Sequence, residues 1–390
     1  MSEEPGGARS AQELETLLLS DLHLGAGPAA NGIPDDFDAD EAFASFAASL
    51  CATARAAPGP RRLVVLGDLL DVQRLARREP PARDPAAAAL ARIERIAEGH
   101  PAVFSSLGDL VRAGYRLEIV PGNHDLDLMR PAAQGRLRDL LCGGDRRLGA
   151  RVRFSPWLVH VPGVLYAEHG SQYHDINRLP MLLTPWRDGP QGALDEPFGA
   201  HLGAGDGRSG IAGAANLARA ALADTRLRNI RGRRAAMRRY RERTLAPYAR
   251  DVGLPPGALA RVDEVSEASS RRMATRIARR IATGRGGYDL RAPAREIHGL
   301  LSARGADVRH YVFAHSHAAD RTPLAAGSEA GREAVYLNTG TWSIPRPRPG
   351  LEHSAQRMTY VRIAPLRHAG EPTATLMRWN AATARHETLA

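Results

Sequence analysis

Five short clusters of carboxylate, imidazole and carboxamide residues stand out as able to do chemistry. In chain order they are Asp21-Leu22-His23, Gly67-Asp68-Leu69-Leu70-Asp71, Gly122-Asn123-His124-Asp125, Glu168-His169-Gly170 and Ala314-His315-Ser316-His317. Each alone says little, since an Asp-x-His is most often a turn with a surface histidine. Together they make a nitrogen and oxygen donor set of the kind that holds two divalent cations about 3.5–4 Å apart. Residues i and i+2 of an extended chain share a face, so Asp21 with His23, and His315 with His317, can serve one site. A carboxylate such as Asp68 can bridge two cations. The Asn123 amide adds a donor without charge, which leaves the site tolerant of a phosphate.

These clusters end apolar runs that read as strands buried on both faces: Glu15–Ser20, Arg62–Leu66 and Tyr115–Val120. Between them Ala39–Ala52, Pro85–Ile96 and Ser105–Ala113 carry apolar residues at helical spacing. Short strands are predicted near Arg151–Phe154, Trp157–His160 and Val164–Ala167, and again at Val308–Phe313, Ala334–Leu337, Met358–Ile363 and Thr373–Met377. From about 180 to 299 the sequence turns Ala-, Gly- and Arg-rich, with helical spacing and few large apolar residues. The predicted organisation is a split α/β catalytic domain over 14–179 and 300–380, interrupted by a mainly helical cap over 180–299. Residues 1–13 read as a disordered N-terminus. Such α/β sandwiches gather their chemistry at the carboxyl ends of strands.

With the motifs in this order the chain resembles the calcineurin-like metallophosphoesterase superfamily, whose signature is D-x-H, G-D-x-x-D, G-N-H-[DE], H and G-H-x-H. The resemblance covers roughly residues 14–178 and 305–365, and departs from the pattern at Ala314, where glycine is usual. It implies a four-layer α/β/β/α sandwich of two mixed sheets. It also implies Asp21, His23, Asp68 and His317 on one metal, and Asp68, Asn123, His169 and His315 on the other. The implied reaction is hydrolysis of a phosphate ester or pyrophosphate by in-line attack of a metal-bridging hydroxide, with His124 either protonating the leaving oxygen or hydrogen-bonding a phosphoryl oxygen. Manganese is the first choice of metal, with iron, zinc and cobalt as alternatives. The stretches Glu168–Arg178 and Tyr336–Trp342 are similar to the branch around UDP-2,3-diacylglucosamine diphosphatase, which implies a nucleotide- or lipid-linked substrate.

Asp125 is expected to hold the His124 imidazole in a productive charge state, with Asp71 a second candidate beside the ligands. His174 competes with His169 as the ligand, and His169 is preferred because it leaves its strand directly before a glycine. Tyr173, Asp175, Asn177 and Arg178 either shape the substrate mouth or fill a structural loop. The remaining histidines, His100 among them, belong to no visible constellation.

The chain has 390 residues, and its 53 basic residues, all arginine, outnumber 43 acidic ones for a net charge of +10. One block, Arg226–Arg250, holds ten arginines against a single acid, Glu242. Leu227, Ile230, Met237 and Tyr240 fall near one helical face there, and Met273, Ile277 and Ile281 repeat the pattern. A pair of lid helices is expected, whose charge draws a small anionic phosphorylated substrate and permits peripheral contact with an anionic membrane. Nucleic acid is disfavoured as a partner because the block lacks aromatics for stacking. Cys51 and Cys142 are too few for a disulfide framework or thiolate metal site and read as buried thiols. There is no apolar run of transmembrane length, and the polar N-terminus lacks a signal-peptide pattern, so a cytoplasmic protein is expected. Two rivals stand beside the phosphohydrolase: a metal-dependent nuclease or phosphodiesterase, and a catalytically silent binding scaffold on the same fold.

Overall fold

Strand β1 (Glu15–Leu19) sits in the middle of a seven-stranded sheet because every second residue has apolar partners on a different side. Leu17 and Leu19 face one way, into a core shared with helices, and Leu18 faces the other way, into a core shared with a second sheet. This is described by a computed structural model covering residues 14–27, 35–76, 79–80, 82–174, 177–179, 185, 192–194, 289–306, 308–324, 333–345, 356–365 and 373–389.

β1 pairs in parallel with β2 (Arg61–Leu66), which pairs with β3 (Arg116–Val120), which pairs with β4 (Val152–Phe154). On its other edge β1 meets β10 (Thr359–Ile363) antiparallel, followed by β11 (Ala374–Asn380) and β12 (Arg385–Thr388). The second sheet has the order β5 (Leu158–Val161), β6 (Leu165–Glu168), β7 (His310–Phe313), β9 (Ala334–Asn338) and β8 (Asp320–Leu324). Its three middle strands are parallel and its two edges antiparallel. The chain is therefore α/β with two mixed sheets, compatible with the expected sandwich.

Leu18, Val64, Leu66 and Val120 of the first sheet share one apolar cluster with Leu165, Ala167, Val312 and Leu337 of the second. On the first sheet's other face pack α1 (Asp40–Ala56), α2 (Val72–Ala76), α3 (Pro85–Gly99), α4 (Pro101–Arg112) and α5 (Pro131–Cys142). A one-turn helix, α6 (Arg146–Gly149), leads from α5 to β4. α3 starts where the Asp84 carboxylate accepts the Ala86 and Ala87 amides and Pro85 supplies the first helical φ. α1 carries Asp40 and Glu41 in its first turn and Arg55 in its last, which suits the helix dipole. Trp342 packs against Phe43 and Phe46 of α1.

The chain divides into two units, Met1–Pro197 with Tyr288–Ala390, and Phe198–Gly287. The second unit, with the arginine block of 226–250 and the apolar repeat of 271–281, lies outside the described residues, as does 1–13. Helix α7 (Arg291–Ser302) runs across the expected boundary at 299 between cap and catalytic segment, and its Ala294, Ile297 and Leu301 pack on Tyr311, Phe313 and Tyr336 of the second sheet. Cys51 and Cys142 are both buried and unbridged.

Candidate metal centre

The topology gathers the five clusters. β1, β2 and β3 are adjacent and parallel, so their carboxyl ends deliver Asp21 with His23, Asp68 with Asp71, and Asn123 with His124 to one edge of the first sheet. β6 and β7 are likewise adjacent and parallel, and deliver His169 and then His315 with His317. Both sheets contribute because the apolar layer between them brings these edges together.

Donor atoms of Asp21, His23 and His317 lie within 4.8 Å of one another, and so do those of Asp68, His169 and His315. Asp68 joins the two groups, with its Oδ2 3.6 Å from His23 Nε2 and 3.2 Å from His169 Nε2. Asn123 Oδ1 lies 3.2 Å from His169 Nε2. His169 donates from Nδ1 to the Leu66 carbonyl at 2.9 Å, which turns Nε2 toward Asp68 and Asn123. His23 Nε2 and His317 Nε2 face each other at 3.2 Å. All seven residues expected to ligate metal thus stand in one cluster.

Backbone shape confirms that this edge is unusual. Asp21, His23, Asp68, His315 and His317 all have positive φ, between 52° and 63°. Such left-handed conformations cost a non-glycine residue on the order of 1–3 kcal/mol and cluster at functional sites. Two glycines are demanded by contact as well as by shape. A Cβ on Gly67, whose φ is +87°, would run into the His169 ring, and a Cβ on Gly122 would run into the Asp68 carboxylate. Ala314 has no positive φ and its methyl joins the core between the sheets, so the glycine usual at that position is not required here.

The loop after β9 locks the first cluster. Thr341 donates from its hydroxyl to the Asp21 carbonyl at 2.9 Å, and the Trp342 amide donates to the same oxygen. Ser20 donates from its hydroxyl to Asp21 Oδ2 and contacts the Thr339 hydroxyl, while Asn338 Nδ2 donates to the Ala314 carbonyl. None of Ser20, Asn338, Thr339 or Thr341 was singled out for the site by its own residue type. The only signal for the last three was the segment Tyr336–Trp342 as a whole, and for Ser20 its place at the end of the first apolar run.

Charge at the site is mutually sustained. Burial opposes ionisation of Asp21, and the His317 and His23 imidazoles overcome it, holding the carboxyl well below its ordinary range. Burial likewise opposes a charge on Asp68, but His169, His124 and His23 together hold it low. Against burial, contact with Asp21 and the charge of Asp68 raise His23 to about 9. Against the same penalty, Asp68 raises His169 to about 10. His315 goes the other way, driven down by burial and by His169 and His174, and so offers a neutral ring.

The residues flanking the ligands differ from expectation. The carboxylate against the His124 imidazole is Asp71, whose Oδ1 lies 2.8 Å from Nδ1, and not Asp125. Asp125 instead accepts three backbone amides, from Gly122, Leu69 and Leu70 at 2.6, 2.8 and 3.3 Å, and ties the β2 and β3 loops together. The loop turns its side chain inward toward those amides, while Asp71, four residues after Gly67, reaches the ring from the neighbouring strand end. Nor are His169 and His174 alternatives: His174 Nδ1 lies 3.1 Å from His315 Nε2, so both histidines stand in the cluster. Asn177 Nδ2 lies 3.3 Å from the same His315 nitrogen. Tyr173 donates to Glu168, Arg178 is exposed, and Asp175 lies outside the described residues. His100, assigned no partner by its sequence, is buried between Asp35 and Asp40 at 3.0 Å from each, and pins the loop after β1 to the α3–α4 junction.

These residues fit divalent cations. Asp21 Oδ1 is buried and accepts no hydrogen bond, with His317 Nε2 3.1 Å away but not aligned to donate. Imidazole nitrogens converge on carboxylate oxygens with no thiolate among them, the donor chemistry of manganese, iron, zinc or cobalt. The buried His and Asp groups can therefore hold metal. No protein-family model matches the chain, and no curated protein matches it. Among the described residues no helix is long and apolar enough to cross a membrane.

Proposed function

We propose that the chain is a two-metal-dependent phosphohydrolase, cleaving a phosphate ester or pyrophosphate on a four-layer metallophosphoesterase sandwich. The observation that carries this reading is the position of Asp68 Oδ2 between His23 and His169, which links two buried donor groups into one binuclear arrangement. Asp21, His23, Asp68 and His317 would hold one cation, and Asp68, Asn123, His169 and His315 the other, with His174 beside His315. Bound there, two divalent cations supply Lewis acidity that activates water near neutral pH and offsets phosphoryl charge.

The chain's own residues supply the rest. In hydrolysis a bond forms from water oxygen to phosphorus as the bond to the leaving oxygen breaks, and that oxygen needs a proton. His124 is the donor, from Nε2, because Asp71 occupies Nδ1 and holds the ring in place. The ring stands edge-on to His23 with centroids 4.6 Å apart, and its donor atom forms a third close group with those of His23 and Asp71. Asp68 fixes the loop that carries His124 by accepting its backbone amide at 2.8 Å. The substrate is a small anionic phosphorylated molecule in the cytoplasm, drawn by the net positive charge.

Metal analysis of protein purified without chelator, followed by an aryl phosphate assay with added manganese, tests the reading. About two ions per chain with chelator-sensitive turnover is the expected result. Manganese-supplemented protein that binds no metal and cleaves no ester would sink it.

A further inference from the structure

The two oxygens of the Asp21 carboxylate are treated differently by their surroundings. Oδ2 accepts the Ser20 hydroxyl and, at 3.1 Å, the backbone amide of His315. Oδ1 is buried and accepts no hydrogen bond, with the Nε2 atoms of His317 and His23 standing 3.1 and 3.7 Å from it. The two donors come from different sheets, since Ser20 follows β1 and His315 follows β7. The Ser20 proton points at Asp21, so the Thr339 hydroxyl 2.6 Å away is the donor to Ser20. Thr339 is fixed in turn, its carbonyl accepting the Thr359 hydroxyl at 2.6 Å. Ser20, Asp21, Thr339 and Thr359 are all fully buried.

We propose that Ser20 is a positioning residue of the first cation site, turning Asp21 so that Oδ1 alone is presented to the cation. The inference rests on the metal assignment in the phosphohydrolase reading above. The last torsion of an aspartate side chain is broad, so an untethered carboxylate can offer either oxygen or both. Ser20 and the His315 amide restrict that rotation and leave one oxygen beside the two imidazoles before any cation arrives. A hydroxyl does this without the positive charge by which an arginine would repel the cation. The empty site keeps a buried acceptor without a partner, which costs stability that a cation restores. Ser20 acts on one site only. The second cation takes its side-chain donors from Asp68, Asn123, His169 and His315, and none of these touches the Ser20 hydroxyl.

Calorimetric titration with manganese, joined to elemental analysis after dialysis, gives a test that does not depend on turnover. The wild-type chain should take up about two ions. In Ser20→Ala one binding step should weaken about tenfold and the other stay as it is, so that at limiting manganese the variant holds about one ion. Ser20→Cys, a weaker donor of similar size, should fall between the two. Thr339→Val keeps the shape of the side chain but cannot donate to Ser20. It gives a second approach should Ser20→Ala fail to fold, and should weaken the same step by less. Unchanged steps in folded Ser20→Ala or, failing that, in Thr339→Val would overturn the assignment, and so would equal weakening of both steps. One weakened step in a protein that hydrolyses no phosphate ester would instead overturn the phosphohydrolase reading and leave the role of Ser20 standing.

Discussion

The His124 backbone amide donates to Asp68 Oδ1 at 2.8 Å, so one oxygen of that carboxylate belongs to the neighbouring loop and the other is left between His23 and His169. The orientation of Asp68 is thus set before any cation arrives. Asp68→Asn keeps an acceptor for the amide but removes the charge. The variant should fold, lose metal affinity by more than about 100-fold and lose phosphoester turnover with it. Equal metal content in wild type and variant, measured by elemental analysis after dialysis, would show that Asp68 is not the link between the two donor groups.

Removing metal should leave a distinctive pH dependence of stability. His23 and His169, raised to about 9 and about 10 from an ordinary 6.5, stabilise the folded state fully below pH 6.5 and lose that contribution as pH rises through their folded values. Asp21 and Asp68 are held below the ordinary 3.8, so their contribution is present above it and fades as pH falls. Asp125, pushed up to about 6 by burial and by the Asp68 charge, costs the folded state above that pH. His315, driven down from 6.5, costs the folded state below that pH, so chelated protein should be most stable near pH 6.5 and weaken toward pH 9.5, while metal, by replacing the protons, should flatten the alkaline decline. Urea unfolding at pH 5.5, 7.5 and 9.5 with and without chelator decides it; chelated protein that gains stability from pH 7.5 to 9.5 would contradict these signs.

His124→Ala should keep its metal and lose rate by about 10²–10⁴-fold, most severely for esters with poor leaving groups. Asp71→Asn removes the charge behind Nδ1 and should reproduce the same leaving-group dependence at smaller size. Asp125→Asn should act through loop integrity instead, lowering the melting temperature. If His124→Ala slows good and poor leaving groups alike, proton donation is not its role.

Gly122→Ala places a methyl where Asp68 stands, with backbone on one side and a fixed carboxylate on the other. Neither is the yielding tip of a flexible side chain. The variant should bind metal at least about tenfold more weakly, and its melting temperature should be lower. Gly135→Ala, with open space around the added carbon, is the control and should change neither. Wild-type metal affinity in Gly122→Ala would mean the loop can move aside at no cost.

How far the sequence revealed this arrangement depended on what each element buries. β1, β2 and β3 are covered on both faces, so each showed as an apolar run, and a run that stops at Asp, His or Asn marks its own chemistry. β8 (DRTPL) and β12 (RHET) are edge strands with almost no buried residue and were not visible, and β8 even contains Pro323. Most of α7 was merged with the cap because Ala294 is its only wholly buried residue. Within the site, residue type and strand end marked the five clusters, and the family resemblance singled out the seven expected donors among them. Which carboxylate reaches His124 was not legible: Asp125 is adjacent in sequence, but Asp71 is adjacent across the sheet. The same holds for His174, brought to His315 by a turn whose path spacing alone does not reveal.

The antiparallel partner of β1 is β10, and the register Thr16↔Ile363 joins residues separated by most of the chain. At ribosomal rates of about 5–20 residues per second, β1 must wait on the order of 20–70 s for that partner. His317, which stands beside Asp21, emerges nearly as late. During synthesis β1 can dock on β2 and the helices above it while its other edge stays open, an apolar strand with unpaired amides. The nascent chain is thus at its most vulnerable in the strand that leads into Asp21. Cells making this protein faster than that edge is closed should lose it to aggregates, and slower translation or a strand-binding chaperone should recover it.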